Sequence, residues 1–363
     1  MPPDNAQGRD WAVISINLLP GLAAVIALVF TWQTVNQANA DLRLSEEGQI
    51  TDRYNSAVTN LGSKTETLRL GGVYALQRIM QDSTRDQPAI VNLLSSFVRT
   101  RAPIDQEKTK IPDDLSIPVS DEKKSGHHLR LEADIQAAIE VLTSRDAARD
   151  KSAVVDLRSS DLRGADLSDR DLKGFLFTGS DLRYSHLARA NLREANLVKA
   201  RLDKAEMLDA DLRKSTLQGA SFRGAELSTA DLSGSLIGGA DFSNANLFGV
   251  RLIKAAPGPF PMSEIAPIFS SASMIKADLS GLKGSGVWKD SILLDAKFVS
   301  ADLSGSDMTG ACLTRANLSK AELSYVTFTN VRAAGATFSD AHHAHAKDYP
   351  TQTDPLPAGR TPC

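Results

Sequence analysis

A strict five-residue repeat constrains this chain more than any other feature. Large apolar residues recur at every fifth position from Leu157 to Leu252, which gives 20 positions holding 15 Leu, three Phe, one Met and one Ile. A period of five fits neither an α-helix, at about 3.6 residues per turn, nor a strand, at about two. The chain must therefore coil, with each unit adding a short extended piece and a bend. Two residues before each large residue stand 11 Ala, five Ser and four exceptions, namely Val155, Arg170, Phe175 and Val250.

One large and one small inward residue per unit would fill a narrow tube and leave three residues for solvent. The units ADLSD at 165–169, ANLVK at 195–199 and ADLSG at 230–234 resemble the pentapeptide-repeat family, whose motif is A(D/N)LXX. This resemblance implies an all-β solenoid, a right-handed quadrilateral β-helix with four pentapeptides per coil. A first block at 152–252 would then be five coils, about 24 Å tall at roughly 4.8 Å per coil.

The phase of the repeat breaks after Leu252, where the sequence APGPFPMSEIAPIF contains four prolines. Proline cannot donate to a β ladder, so we expect residues 253–273 to form a proline-rich insertion outside the solenoid. A second repeat block is predicted at 274–340, in which the 11 positions from Trp288 to Phe338 include one small residue, Ala333. The last residues, 341–363, are expected to be a disordered tail.

Near the N-terminus, the stretch from Trp11 to Trp32 contains 22 residues without a charge, about 33 Å as a helix. After a tail at 1–10, this stretch predicts a transmembrane helix at 11–32, a single-pass membrane location and a cytoplasmic repeat domain. A buried helix remains open as an alternative. So does a cleaved signal peptide, because Ala38-Asn39-Ala40 has the form of a cleavage site. The flanking charges do not resolve the orientation.

Between the apolar stretch and the repeats, apolar residues recur at helical spacing. The pattern predicts juxtamembrane amphipathic helices within 33–101, a charged, proline-containing linker at 102–126 and a helix capping the solenoid within 127–150. This gives a small α-helical region before the β-helix. The sequences TDRYNSAVTNLGS, LRLGGVYALQRIMQDS and IVNLLSSFVR resemble the front end of bacterial membrane-associated pentapeptide-repeat proteins.

Residues one coil apart should stack on one face of such a solenoid. The predicted columns are Asp171, Asn191, Asp211 and Asp231, and beside them Lys173, Arg193, Arg213 and Ser233. One residue does not fit, because the register of Arg170 points its charge into the tube, where an unpaired charge is costly. We therefore expect a local distortion at 168–180.

The sequence carries no recognisable catalytic motif, phosphate-binding loop or zinc-spaced cysteine pair. His342, His343 and His345 have the chemistry to bind a transition metal, but incidental affinity is the favoured interpretation. The acidic group Asp113, Asp114, Asp121 and Glu122, with His127 and His128, is assigned to a solvated linker. Cys312 lies at an outward repeat position, and it and Cys363 are the only cysteines, so no disulfide framework is expected. We assign no catalytic, cofactor-binding or metal-binding residue and predict no enzyme.

Solenoids leave long faces free for binding, so the leading hypothesis is a membrane-anchored, non-catalytic scaffold for a protein partner that the sequence does not name. The family resemblance suggests an alternative, a DNA mimic that binds gyrase and protects it from quinolones. That mimicry requires an acidic surface, whereas residues 152–252 contain 14 Asp plus Glu and 14 Lys plus Arg. Nucleic acid binding is not expected either. The oligomeric state is not determined by the sequence.

Overall fold

The computed structural model describes residues 7–104, 131–259 and 265–350, with side chains from residue 24 onward. Four α-helices come first and are followed by a β-helix. They are α1 (Gln7–Leu61), α2 (Glu66–Asp82), α3 (Gln87–Arg101) and α4 (Ala133–Ser144), with a short 3-10 helix at Ala147–Arg149.

The β-helix consists of single parallel bridges between residues one coil apart, not of long strands. Four columns of bridges define four faces, which begin at Asp156, Asp161, Asp166 and Asp171 and which we call the first to fourth faces. In the regular coils each bridge joins residues four pentapeptides apart, and the ladder reaches Lys347. The last residue of each pentapeptide turns the corner in the left-handed region, as at Lys199 with φ 56°. This bend is what returns every fifth residue to the inside of the tube.

The tube interior is filled by stacked columns of the repeated large residues. From Leu157 to Leu252 every one of these side chains is buried. On the second face four aromatic rings stack in consecutive coils, with centroid separations of 4.8 Å, 5.1 Å and 4.2 Å along Phe222, Phe242, Phe269 and Trp288. Burial of one large side chain per pentapeptide stabilises each coil against its two neighbours.

The ladder does not stop at the proline-rich sequence, so the solenoid is one tube and not two blocks. Asp241 pairs with Ile268, farther along the chain than in a regular coil, and Ile268 pairs with Val287 across a coil slightly shorter than the regular ones. Pro257 still accepts a hydrogen bond from Gly238 N–H at 3.1 Å. The insertion expected at 253–273 is therefore shorter, because Pro257 still accepts a ladder hydrogen bond and Ile268 and Ser273 are already paired with the preceding coil. Residues 260–264 lie outside the described part.

The predicted tail at 341–363 is also corrected. His342 pairs with Glu322 and Lys347 with Thr327, so the residues up to 350 complete a further coil. Ala341 and Ala346 occupy the small inward position of their units and are partly buried against the core. Residues 351–363 lie outside the described part of the chain.

Helix α1 is continuous through the apolar stretch and ends at Leu61, before Gly62. Ala38-Asn39-Ala40, the possible cleavage site, lies within it. Among the helices that the structure describes, none combines the length and apolar character needed to cross a bilayer. The prediction of a transmembrane helix at 11–32, and of the membrane-associated type of protein, is therefore not supported.

The helical region packs as a small bundle on the N-terminal end of the solenoid. Helix α1 packs on α2, and both α2 and α3 pack on α4. Arg69 and Asp134 form a buried ion pair between α2 and α4. In α4, the Gln136 amide donates to the carbonyl of Asp166 at 2.8 Å, which joins the helix to the first coil.

Part of the predicted linker at 102–126 belongs to the solenoid edge. Pro103 forms an antiparallel bridge with Ser160, and Asp161 N–H donates to Ala102 O at 2.7 Å. Residues 105–130 lie outside the described part, so the remainder of the linker and the first residues of the predicted 127–150 helix stay a prediction.

The distortion expected around Arg170 does not occur. The hydrogen bonds of the coil continue through the segment, as in Leu172 N–H to Asn191 O at 2.8 Å. The Arg170 side chain is partly exposed and its guanidinium lies 3.7 Å from the Glu140 carboxylate on α4. Phe175 fits inside the tube, with the Arg145 guanidinium 5.2 Å from its ring centroid. Arg170 and Phe175 lie in the first coil, so Glu140 of α4 and Arg145, the residue that follows α4, can contact them.

Candidate interaction surface

The third face carries an outward-pointing column of large apolar side chains. Leu208 and Phe248 are 42% and 41% exposed at outward positions, whereas the large inward side chains from Leu157 to Leu252 are all buried. Ile275 and Leu294 continue the column and are half-buried. We call Leu208, Phe248, Ile275 and Leu294 the apolar strip.

Backbone hydrogen bonds fix the members of the strip in successive coils. The carbonyl of Phe248 accepts from Thr229 N–H at 2.7 Å, that of Ile275 from Gly249 N–H at 2.8 Å and that of Leu294 from Lys276 N–H at 2.9 Å. Ser228 occupies the level between Leu208 and Phe248. The strip spans four coil steps, about 19 Å at roughly 4.8 Å each, and its rigid spacing suits an extended or helical partner segment.

Three carboxylates lie beside the N-terminal half of the strip, near Leu208. Glu226 accepts from Ser228 Oγ and, at 3.0 Å, from the Asn246 amide, while Asp209 accepts from Thr229 Oγ1. Glu206 lies 3.7 Å from His186, which is charged only when protonated. Glu206 and Glu226 are held by neutral or titratable groups, so their charges remain available to a partner, whereas Asp209 also interacts with the Arg189 guanidinium.

Many carboxylates elsewhere on the solenoid are paired with arginines, whereas Asp171, Asp278 and Asp302 accept hydrogen bonds from neutral groups. Arg213 contacts Asp211 and lies 3.9 Å from Asp231, which agrees with the predicted arrangement of the acidic and basic columns side by side on the fourth face. At the corner that follows the third face, Arg189 donates to Asp169 at 2.6 Å, and this hydrogen bond holds the pKa of the Asp169 carboxyl below its usual range. At these paired positions the carboxylate charge is neutralised within the fold.

The C-terminal histidines lie in the last coil and not in a tail. The Nδ1 atom of His342 is 2.9 Å from Glu322, whereas the rings of His343 and His345 stack on Tyr349 and Tyr325. Within the described ranges, no group of three His, Cys, Asp or Glu side chains is placed to hold a metal ion.

The other residues singled out from the sequence do not form a site in the described structure. Cys312 does occupy an outward position, but it is fully buried and is not a free thiol. The acidic group from Asp113 to Glu122, with His127 and His128, lies outside the described residues. The assignment of no catalytic, cofactor-binding or metal-binding residue stays a prediction.

Sequence reasoning missed the apolar strip. Leu208 and Phe248 stand two regular coils apart, and both directly follow an inward large residue. That signal was present in the sequence. Ile275 follows at a longer interval than a regular coil and Leu294 at a shorter one, so aligning them with Phe248 required the structure of the insertion and of the shortened coil after it.

A family model for pentapeptide repeats matches the chain in eight copies. The matched ranges include residues 160–197, 171–207, 190–228, 205–235, 225–256, 289–319 and 311–342. No curated protein matches the chain. Among solved structures, it is similar to HetL, a pentapeptide repeat protein involved in heterocyst differentiation regulation from the cyanobacterium Nostoc sp. Strain PCC 7120. The two are 27% identical over 53% of this chain and 84% of HetL, with a TM-score of 0.34.

A second similar structure is trypsin-treated QnrB1, a plasmid-mediated fluoroquinolone resistance protein. It is 17% identical over 49% of this chain and 89% of its own, with a TM-score of 0.35. A third is a pentapeptide repeat protein from the Arabidopsis thaliana thylakoid lumen, 26% identical over 42% of this chain and 70% of its own, with a TM-score of 0.16. These TM-scores support no inference about function. The repeat matches and the ladder agree that the solenoid of this chain is a four-faced β-helix of pentapeptide repeats.

Proposed function

We propose that this protein is a non-catalytic interaction scaffold whose apolar strip binds a partner segment rich in apolar and basic side chains. The observation that carries the proposal is the exposure of Leu208 and Phe248 in one outward column, which the half-buried Ile275 and Leu294 extend. Solenoids commonly bind through such long, rigid faces. The alternative of a gyrase-binding DNA mimic lacks the acidic surface that it requires, because residues 152–252 contain 14 Asp plus Glu and 14 Lys plus Arg.

The chemistry of the partner follows from the border of the strip. Apolar side chains of a partner would bury the exposed parts of Leu208 and Phe248, and lysine or arginine beside them would neutralise Glu206, Asp209 and Glu226. Attraction between opposite charges raises the association rate and excludes acidic competitors more than it adds affinity. Binding should therefore weaken with added salt.

The test uses immobilised synthetic peptides that alternate leucine or phenylalanine with lysine, together with matched peptides carrying glutamate in place of lysine. The purified full chain should bind the lysine set. The variant Phe248→Ser should bind about tenfold more weakly, since losing a half-exposed phenylalanine contact costs about 1–1.5 kcal/mol. Glu226→Gln should reduce the salt dependence.

The matched control is Val198→Ser, which changes the equivalent outward position on the first face, where the side chain is half-buried. Circular dichroism should show all three variants folded. Equal binding of the lysine and glutamate peptides, or an equal loss with Val198→Ser and Phe248→Ser, would refute this surface. The same variants compared by proximity labelling in cells would then identify the partner.

A further inference from the structure

Helix α1 consists of a packed part and an unpartnered part. Ala57 and Leu61 are buried and Ile50 and Tyr54 partly buried, because α2 covers this end of the helix. From residue 24 to residue 49 every side chain is exposed. Large apolar side chains are among them, with Leu28 at 69%, Trp32 at 68% and Leu42 at 63% exposure.

The packed stripe continues into the exposed part on the same face of the helix. At about 100° per residue, the positions 25, 28, 32, 35, 39, 42 and 46 fall within the same arc of about 120° as Ile50, Tyr54, Ala57 and Leu61. Helix α2 runs back along this face, but it ends at Asp82, beside Arg53 at 3.2 Å. The last contact is Arg85 with Glu47 at 3.7 Å. Beyond Glu47 the stripe has no covering helix among the described residues.

The exposed stripe has the spacing of a two-stranded coiled coil. Steps of three and four residues alternate from Val25 to Leu42, with Val25, Trp32 and Asn39 at a positions and Leu28, Val35 and Leu42 at d positions. Val25 and Asn39 at a, with Leu28 and Leu42 at d, are choices that favour a parallel dimer in register, whereas Trp32 at a and Val35 at d are not among those choices. Past Trp32, Val35 and Leu42 lie on this seam and Leu44 lies off it. Before Trp32, exposed apolar residues also lie outside the a and d positions, namely Ile26, Val29 and Phe30.

The flanking positions permit a second copy of this helix. In a parallel pair, Thr31 would face Asn36 and Ala38 would face Arg43 across the seam, so no like charges meet. The seam from Val25 to Leu42 is about 27 Å long at roughly 1.5 Å per residue. It continues directly from the α1–α2 interface within each chain.

We propose that α1 pairs in parallel with α1 of a second copy of this chain through Val25, Leu28, Trp32, Val35, Asn39 and Leu42, so that the protein is a homodimer. The pairing covers the stripe where α2 leaves it. Two solenoids are then carried side by side at the ends of one coiled coil, which presents two interaction surfaces to a partner.

The first measurement is light scattering on the full chain at micromolar concentration, where the expected mass is twice 39.0 kDa. Under oxidising conditions, Val35→Cys should crosslink between copies several-fold more than Thr34→Cys, because position 35 faces the seam and position 34 faces away from it. The native chain provides the background from its own cysteines. Val35→Asp should raise the dimer dissociation constant by at least about tenfold, since each chain brings an unpaired carboxylate into the seam.

A monomeric mass at these concentrations, or equal crosslinking of Val35→Cys and Thr34→Cys, overturns the proposal. So does a chain that binds phosphatidylcholine vesicles as a monomer, because the exposed apolar residues would then be covered by lipid. All three variants change exposed residues, and unchanged circular dichroism will confirm that the solenoid remains folded.

Discussion

Replacing Gly286 by alanine would place a methyl group against the Trp288 indole inside the tube. A Cβ built at Gly286 lies 2.5 Å from Nε1 and 2.8 Å from Cε2 of that ring, closer than real side chains approach. The ring has no room to move, because it is fully buried and stacks on Phe269 at 4.2 Å. Overpacking of this kind costs about 1–3 kcal/mol.

The repeat pattern taken alone predicts the opposite sign. Gly286 occupies the small position of its unit, which elsewhere is usually alanine or serine, and its backbone is outside the left-handed region. On that basis alanine should stabilise the protein by about 0.4–1 kcal/mol through the unfolded state. The two lines of reasoning therefore make separable predictions.

The assay is thermal unfolding followed by far-ultraviolet circular dichroism. At about 2–4 °C per kcal/mol for a domain of this size, Gly286→Ala should lower Tm by about 2–12 °C. The control is Trp288→Phe, which shortens the ring and removes an indole N–H that is buried without a partner. In that background Gly286→Ala should cost at least about 1 kcal/mol less. A rise in Tm, or an equal loss in both backgrounds, would refute the packing argument.

Three further predictions concern charges. Arg69→Met should cost about 3–5 kcal/mol in urea unfolding because it leaves Asp134 buried and unpaired, whereas Arg53→Met should cost under about 1 kcal/mol at its exposed pair; similar losses would contradict this. Hydrogen bonds from Ser324 and then His342 lower the pKa of Glu322 to about 2, so its stabilisation is complete above about pH 4.5 and is lost as pH falls through about 2; an NMR titration midpoint near 4 would contradict this. Leu212→Asp should unravel the tube, and retention of the native circular dichroism would show that the interior tolerates a charge.

The regular coils could be predicted because the repeat is local. Each pentapeptide needs one large residue, such as Leu212, one small residue and a corner, and all three are visible in a few letters of sequence. The charged columns followed from the same arithmetic, since Asp211 and Asp231 must stack once the coil length is known. The exposed members Leu208 and Phe248 of the apolar strip were readable in the same way.

The irregular parts could not be predicted because a β ladder requires alignment in space and not in sequence. Asp241 pairs with Ile268 across the prolines, although the two residues are farther apart in the chain than the partners of a regular coil. Gly284 and Gly286 accompany a coil that is slightly shorter than the rest. The phase of the later coils, and hence the stacking of Ile275 and Leu294 on Phe248, depends on both irregularities.

The sequence by itself determined that the chain coils, since a period of five fits neither a helix nor a strand, and the four-sided form of the coil followed from the family resemblance. Only the tertiary structure decided how the tube begins and what its surface offers. Helix α4 places Glu140 beside Arg170, so the arginine charge is paired at the end of the solenoid and is not buried unpaired in the tube. Helix α2 stops beside Arg53 and leaves the α1 stripe uncovered. Such outcomes depend on contacts between segments distant in the chain, which a local repeat does not encode.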